Sequence, residues 1–326
     1  MKVSVIIPLY NAQNYIAACL ESVLNQTMKN FEVIIVDDCS NDNSCAVAES
    51  FSEKFGGRLK IISLPNNTGN ASIPRNEGLR FSRGDYVFFM DNDDLITPNA
   101  LETLYKFAEN ARADVVYMER GFLLTEKNVI AADWDKNSSK ITNPTLETQN
   151  ISVRIENFLK TSYGWAPWTK FIRRDFLIAN KIDFPHVKIS EDVLWSFKII
   201  CLAKNFLRIP NQLYICRSRT DSLSRIKREP KDEIKFWLDP LVKGLDYLND
   251  FMSGDFFYQN PNSRFDVTNF FVKMQLAGML RALKNLNRYQ LYQIICESFS
   301  DSKYAPLIAY LFVVMNFYRD KFSEVK

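Results

Sequence analysis
The sequence predicts an α/β protein, a doubly wound parallel sheet followed by a helical C-terminal extension. Two observations carry this. Through residues 1–118, short apolar runs rich in β-branched residues alternate with segments of helical periodicity, as expected for strands covered on both faces by crossover helices. From about residue 230 onward the strand signal gives way to a helical one.

Taken in order, VSVIIPL at residues 3–9 reads as a buried first strand, and residues 14–24 carry apolar side chains at helical spacing. FEVIIVD at 31–37 is a second strand, after which Ser40 and Asp42 are placed to cap a helix running to residue 55. A third strand lies near 59–62, and the polar loop 65–70 leads into a helix around 73–81. YVFFM at 86–90 is a fourth strand that ends directly on Asp91. Thr97 and Pro98 supply a cap and a first-turn proline for a helix through Glu109, and residues 114–118 close the series. Residues 119–150 are polar and strand-poor, read as a hairpin and a surface loop. A further helix starts at Ser190, with Ser190 as its cap and Glu191 and Asp192 in the first turn, where the helix dipole favours acids.

Composition narrows the chemistry. The 326 residues carry 41 basic and 38 acidic side chains, a formal charge of +3, without the basic excess of a nucleic-acid binder. The six cysteines lack paired metal-type spacing, and no leader peptide precedes the first strand, so a reduced, cytoplasmic setting is expected. A single histidine, His186, makes a Ser-His-Asp triad or a histidine metal cluster hard to build. Any general base is therefore expected to be a carboxylate.

Two acidic groups stand out. Asp91-Asn92-Asp93-Asp94 follows an apolar strand, and Asp37-Asp38 ends another. In doubly wound sheets ligands bind beyond the carboxyl ends of the strands. Clustered carboxylates repel one another unless a cation or hydrogen-bond donors compensate, and oxygen-only ligation suits Mg²⁺ or Mn²⁺. Alone, the Asp91–Asp94 cluster reads almost as well as a solvated acidic turn with Asp94 capping the next helix.

The order and spacing of further motifs resolve that ambiguity. VSVIIPLYN at 3–11 is followed by EVIIVDDCS at 32–40 with Asp42, NTG at 67–69, RNEG at 75–78, DNDD at 91–94 with Pro98, WTKFIR at 168–173, Phe184, SEDVLW at 190–195, and Tyr214. In this arrangement the chain resembles the family 2 glycosyltransferases of the GT-A fold, of the bacterial surface-polysaccharide type, over roughly residues 1–225. The resemblance implies a Rossmann-like GT-A catalytic domain over 1–228, with a nucleotide-sugar half at 1–118 and an acceptor half at 119–228. The helical region is then 229–326.

The resemblance also implies residue roles. Pro8, Tyr10 and Asn11 would line the nucleotide base, with Tyr10 able to pack on it. Asp38, preferred over Asp37 because adjacent strand residues face opposite ways, would accept a hydrogen bond from a uracil ring. Arg75 has the planar donors to reach the nucleotide or its diphosphate. Gly69 and Gly78 fit a tight loop and close helix packing. Asp91 would contact the ribose or the outer shell of a metal, Asn92 stands beside it at a variable position of the binding motif, and Asp93 would ligate a Mn²⁺ or Mg²⁺ ion bridging the diphosphate. Asp192 would act as general base toward the acceptor hydroxyl, with Glu191 as a helper or an acceptor contact.

Several features stay open. Trp165, Trp168 and Trp195 suit either sugar stacking or a core, and Lys170 suits an acceptor contact or a snorkelling strand edge. His186 suits a phosphate contact or an incidental loop position. The basic, serine-rich stretch 217–228 reads as a lid or a linker. The apolar stretch 304–318 is short for a membrane span; it reads as a buried or self-associating helix, which would make a homodimer, or as a peripheral contact with the inner face of a membrane. The expected function is inverting transfer of a sugar from a nucleotide diphosphate donor, a UDP-sugar, to a glycan or lipid-linked acceptor in bacterial surface-polysaccharide synthesis. The alternatives are a non-catalytic nucleotide-sugar binder and a sugar nucleotidyltransferase. The latter should carry a glycine-rich loop after the first strand, where Pro8, Leu9, Tyr10 and Asn11 stand instead.

Overall fold
The computed structural model describes residues 1–126, 128–134, 141–218 and 228–283, with isolated positions beyond. The stretch 217–228 is therefore described only at Arg217, Ser218 and Arg228, and the apolar stretch 304–318 lies almost wholly outside the described residues. The chain divides into two compact units, residues 1–186 with 190–220, and residues 187–189 with 221–326.

The first unit opens with β1 (Val3–Leu9), α1 (Ile16–Leu24), β2 (Phe31–Asp37), α2 (Ser44–Glu49), α3 (Ser52–Phe55), β3 (Leu59–Ser63) and α4 (Ser72–Phe81). It continues through β4 (Tyr86–Phe89), β5 (Leu95–Ile96), α5 (Ala100–Ala111), β6 (Val115–Met118) and a hairpin of β7 (Arg120–Leu124) and β8 (Val129–Asp133). β9 (Thr145–Leu146), α6 (Ile151–Leu159), β10 (Lys170–Arg173), α7 (Arg174–Ala179), α8 (Glu191–Leu202), β11 (Phe206–Ile209) and β12 (Tyr214–Arg217) complete it.

Eight strands form one sheet in the order β3-β2-β1-β4-β10-β6-β11-β9. β1 pairs in parallel with β2 on one side and β4 on the other, so the winding reverses at β1. The carboxyl ends of these strands meet at that switch point, where open α/β sheets bind ligands. β1 and β2 are buried at all seven positions, which explains their unbroken apolar runs. The sheet departs from the expected parallel one at β10, which runs antiparallel to both β4 and β6. A smaller sheet, β5-β12-β7-β8, stands apart from it.

Local details refine the predicted ends. The helix expected after Asp42 is broken into α2 and α3, and Asp42 accepts the Ser44 N–H at 2.9 Å. α5 begins at Ala100, two residues beyond Pro98, and Thr97 contributes its carbonyl to the Ala100 N–H. Ser190 occupies the position before α8 with φ +68°, and its side chain makes no capping bond.

α4 packs on β1 through Gly78. A Cβ added there would lie 2.3 Å from Ile6 Cγ2, inside the core of the sheet. Gly78→Ala is expected to destabilise the fold by about 1–3 kcal/mol through overpacking. Urea titration of variant and parent checks this, and equal midpoints would refute the tight packing.

The second unit contains α9 (Pro230–Phe251), α10 (Asp255–Gln259) and α11 (Pro261–Leu283). α9 and α11 pack together closely enough that a Cβ on Gly278 would meet the Trp237 ring at 2.4 Å. No helix among the described residues is long and apolar enough to cross a membrane.

Candidate active site
The ends of β1, β2 and β4 bring the predicted donor-side residues together. Beyond β1, Tyr10 is 43% exposed and Asn11 adopts a left-handed φ of +45°. That turn presents Asn11 to the second strand's loop. Its N–H donates to Ser40 Oγ at 3.1 Å and its Oδ1 accepts from the Asn41 N–H at 2.8 Å. Cys39, at φ +61°, makes the matching turn after β2. Pro8 is buried in β1, and its carbonyl accepts from Asn92 Nδ2 at 2.8 Å. Asn92 is thereby tied to the strand beside it.

Asp37 and Asp38 divide their work as the alternation of a strand requires. Asp37 Oδ1 accepts the Ser40 hydroxyl at 2.5 Å, which closes the loop after β2. Asp38 faces the 67–69 loop, accepting the Thr68 N–H at 2.9 Å and Asn67 Nδ2 at 3.2 Å. Gly69 completes that loop with φ +83°, a conformation natural to glycine. Burial pushes the Asp38 carboxyl up, against the lowering hydrogen bonds from Thr68. A carboxylate offers about four acceptor positions, so capacity remains for a ligand donor.

In the Asp91–Asp94 cluster the four residues separate into distinct roles. Asp94 is 2% exposed and accepts the Tyr214 hydroxyl at 2.6 Å and the Arg217 N–H at 2.7 Å. Burial, then the neighbouring charges of Asp91 and Asp93, push its carboxyl well up. It fastens the motif to β12 and does not cap α5. The Tyr214 hydroxyl also receives the Asp91 N–H at 3.2 Å, and Arg217 Nε donates to the Asp93 carbonyl at 2.9 Å. This clasp was invisible in the sequence, because 120 residues separate Asp94 from Tyr214.

Asp91 and Asp93 have the hard oxygen donors that Mg²⁺ or Mn²⁺ prefers. Among the described residues no group of three His, Cys, Asp or Glu side chains is arranged to hold a metal. Such ions often use one or two protein carboxylates and complete their shell with water and substrate phosphates. The residues present fit that substrate-completed kind of site.

Arg75, on α4, joins the two halves of the site. Its guanidinium is 7% exposed and donates to Asp91 Oδ1 at 2.9 Å and to Glu191 Oε1 at 3.2 Å. It lies over the Phe184 ring, 5.3 Å from the centroid. Burial would lower its pKa, but Asp91, Glu191 and Asp192 more than compensate. The predicted donor arginine is therefore equally a partner of the acidic pair on α8.

At the start of α8, burial raises the Glu191 carboxyl to about 7, with Asp192 adding to the rise and Arg75 opposing it. Burial also raises Asp192, while the Val193 N–H, Arg75 and Lys170 lower it. Asp192 Oδ1 accepts the Val193 N–H at 2.8 Å. Two carboxyls on adjacent residues thus share a poorly solvated place with one arginine between them and the donor motif.

The aromatic candidates separate. Trp195 is fully buried, stacked on Phe184 at 4.3 Å and edge-on to Phe89 at 5.6 Å, so it belongs to the core. Trp168 stacks on Tyr214 at 4.6 Å. Trp165 is half-buried, and its carbonyl accepts from Ser196 Oγ on α8 at 2.7 Å. Lys170 is not a snorkelling edge residue. It is fully buried in a strand paired on both sides. His186 is exposed.

A sheet reversing at β1, carboxylates at the ends of β2 and β4 and a helix-borne acidic pair fit a protein of the GT-A, Rossmann-like class. Residues 4–161 match the model of Glycosyl transferase family 2. Over that region, a little under half of its length, the chain is similar to the family 2 glycosyltransferases. It is 34% identical over 209 residues to poly(ribitol-phosphate) beta-N-acetylglucosaminyltransferase TarP of Staphylococcus aureus, covering 63% of this chain and 59% of that protein. It is 31% identical over 207 residues to the poly(ribitol-phosphate) beta-glucosyltransferase of Bacillus spizizenii, covering 63% of this chain and 30% of that one. The match thus spans less than two thirds of either relative. Among solved structures, S. aureus TarS 1–349 in complex with UDP-GlcNAc superposes with a TM-score of 0.63 at 27% identity, covering 78% of this chain and 68% of that chain.

Proposed function
We propose that the protein is an inverting glycosyltransferase. It moves a sugar from a nucleotide diphosphate donor, a UDP-sugar, to a hydroxyl of a surface glycan, a lipid-linked acceptor or a polyol-phosphate polymer. The observation that carries this is Arg75, which binds Asp91 at the donor-side strand end and Glu191 beside Asp192. One buried cation thereby holds a nucleotide-side motif and an acidic pair together across 116 residues of sequence. The TarS complex with UDP-GlcNAc supports the donor class, and the poly(ribitol-phosphate) transferases support the acceptor class.

The chemistry follows from the residues. Asp192 takes the proton of the acceptor hydroxyl as its oxygen attacks the anomeric carbon, and the nucleoside diphosphate departs from the opposite face. The transition state has oxocarbenium character, and no second carboxylate nucleophile is needed for direct displacement. Asp38 and Tyr10 bind the base, and Arg75 faces the diphosphate. Asp93, with Asp91 beside it, would hold Mn²⁺ or Mg²⁺, which when bound neutralises the leaving diphosphate as a Lewis acid.

Thermal-shift titration with UDP tests the donor site. With Mn²⁺ present, UDP at about 100 times its Kd should raise the Tm by roughly 5–10 °C, and chelation should abolish most of the rise. No UDP-dependent shift under either condition would refute the reading. Transfer from UDP-GlcNAc to poly(ribitol phosphate), followed by the anomeric configuration of the product, tests the chemistry, and a retained configuration would exclude direct displacement.

A further inference from the structure
The turn at residues 164–166 leads through the short 3-10 turn Pro167–Thr169 into β10, where Lys170 is the first residue. Lys170 is fully buried. Its Nζ donates to three successive backbone carbonyls, Gly164 at 2.7 Å, Trp165 at 3.3 Å and Ala166 at 3.2 Å, and reaches Thr169 Oγ1 at 3.1 Å. A neutral amine has two N–H groups and an ammonium has three. Three carbonyls converging on one nitrogen therefore call for the charged form. The faces of Tyr117 and Trp195 lie 5.7 and 5.8 Å from the nitrogen and add to that preference.

Burial pushes Lys170 down to about 7, and the carboxylate that opposes this is Asp192. Asp192 in turn faces Arg75 from α4, Lys170 from β10 and Glu191 from its own helix. The same turn is also fixed to α8 directly. Ser196, one helical turn beyond Asp192, donates to the Trp165 carbonyl that Lys170 also holds. Trp165 and the acidic pair are thus registered to each other through two side chains.

We propose that Lys170 is a positioning residue for transfer, whose buried ammonium fixes the Trp165 turn against α8 and supplies the positive charge facing Asp192 from the sheet. This rests on the reading of Asp192 as the base. Arg75 supplies charge from the donor side, so donor binding alone does not complete the environment of Asp192. On this proposal the half-buried Trp165, carried on the turn and tied to α8 through Ser196, would wall the acceptor side.

The experiment uses the full chain, UDP-GlcNAc as donor, and water or poly(ribitol phosphate) as acceptor, with UDP release as the rate. Lys170→Met should leave UDP affinity within about threefold, raise the acceptor KM about tenfold, and move the acid limb of kcat/KM upward by roughly one pH unit, the size of effect a lost opposite charge produces. The sign follows because Lys170 favours ionised Asp192, so its removal makes Asp192 hold its proton to higher pH. Lys170→Gln keeps donors without charge, so its acceptor KM should recover in part while its acid limb stays displaced. Ser196→Ala should raise the acceptor KM with the acid limb unmoved. An acid limb at the parent position in both lysine variants overturns the proposal. If Lys170→Met does not fold, Lys170→Gln and Ser196→Ala decide it, and parental acceptor KM in both overturns it. A parent protein that binds no UDP and releases none would instead refute the transferase reading itself.

Discussion

Asp192→Asn is expected to reduce transfer by about 10²- to 10⁴-fold, the range associated with loss of a positioned general base, while UDP affinity stays within a few-fold. The substitution is nearly isosteric, and the amide oxygen can still accept the Val193 N–H that Asp192 receives at 2.8 Å. What disappears is a group able to take a proton. The residues proposed to bind the donor are others, held by their own hydrogen bonds at the ends of β1, β2 and β4. Initial rates of transfer and UDP titration on the same preparation check both halves. Parental turnover in Asp192→Asn would remove Asp192 from the chemistry. A parallel loss of UDP binding would show that the residue holds the site together rather than acting on the acceptor.

The second large effect is expected at Arg75. Arg75→Met leaves Glu191, and to a lesser degree Asp91, without the cation between them. Removing one partner from a buried charged network typically costs about 3–5 kcal/mol. Asp91, with its side chain 35% exposed, contributes less than Glu191 at 16%, because water screens it. The loss should depend on pH. Glu191 is raised to about 7 in the folded protein, so its contribution is fully present below the unfolded carboxyl range and is lost as pH rises through about 7. Without Arg75 its carboxyl rises further and ionisation becomes costlier. The Tm gap between parent and variant should therefore widen from about pH 5 to about pH 8. Melting curves across that range check it, and a constant gap would mean that Arg75 acts by packing on Phe184 rather than by charge. UDP affinity should fall as well.

The sequence revealed what is local and continuous. β1 and β2 are buried along their whole length, so their runs are apolar without alternation, and β4 announced Asp91 at its end. Gly78 was legible because a helix that rests on Ile6 leaves no room for a side chain. Hidden from it were the pairings between distant segments. β10 carries only four residues and could not be assigned to the centre of the sheet from its own pattern. Its insertion between β4 and β6 converts Lys170 from an apparent edge residue into a buried cation. From sequence, Trp195 and Trp165 each suit sugar stacking or a core, yet one is enclosed by Phe89 and Phe184 and the other stays half-buried. Asp94 looked like part of a metal cluster or a helix cap, and only Tyr214 and Arg217 define it as a structural anchor.

Arg75 has a consequence for engineering. Exchanging segments between related transferases assumes that donor choice and acceptor choice are modular, with a seam between the halves. On the proposed assignment the seam runs through the Arg75 guanidinium, which contacts both Asp91 and Glu191. A graft that replaces the Glu191 region while leaving α4 in place changes the electrostatic neighbour of Asp91, so new acceptor preferences will arrive with altered donor affinity. Substitutions on the two sides should accordingly combine non-additively, with coupling energies of about 0.5–3 kcal/mol. Chimeras are better designed to transfer Arg75 and Glu191 as a unit.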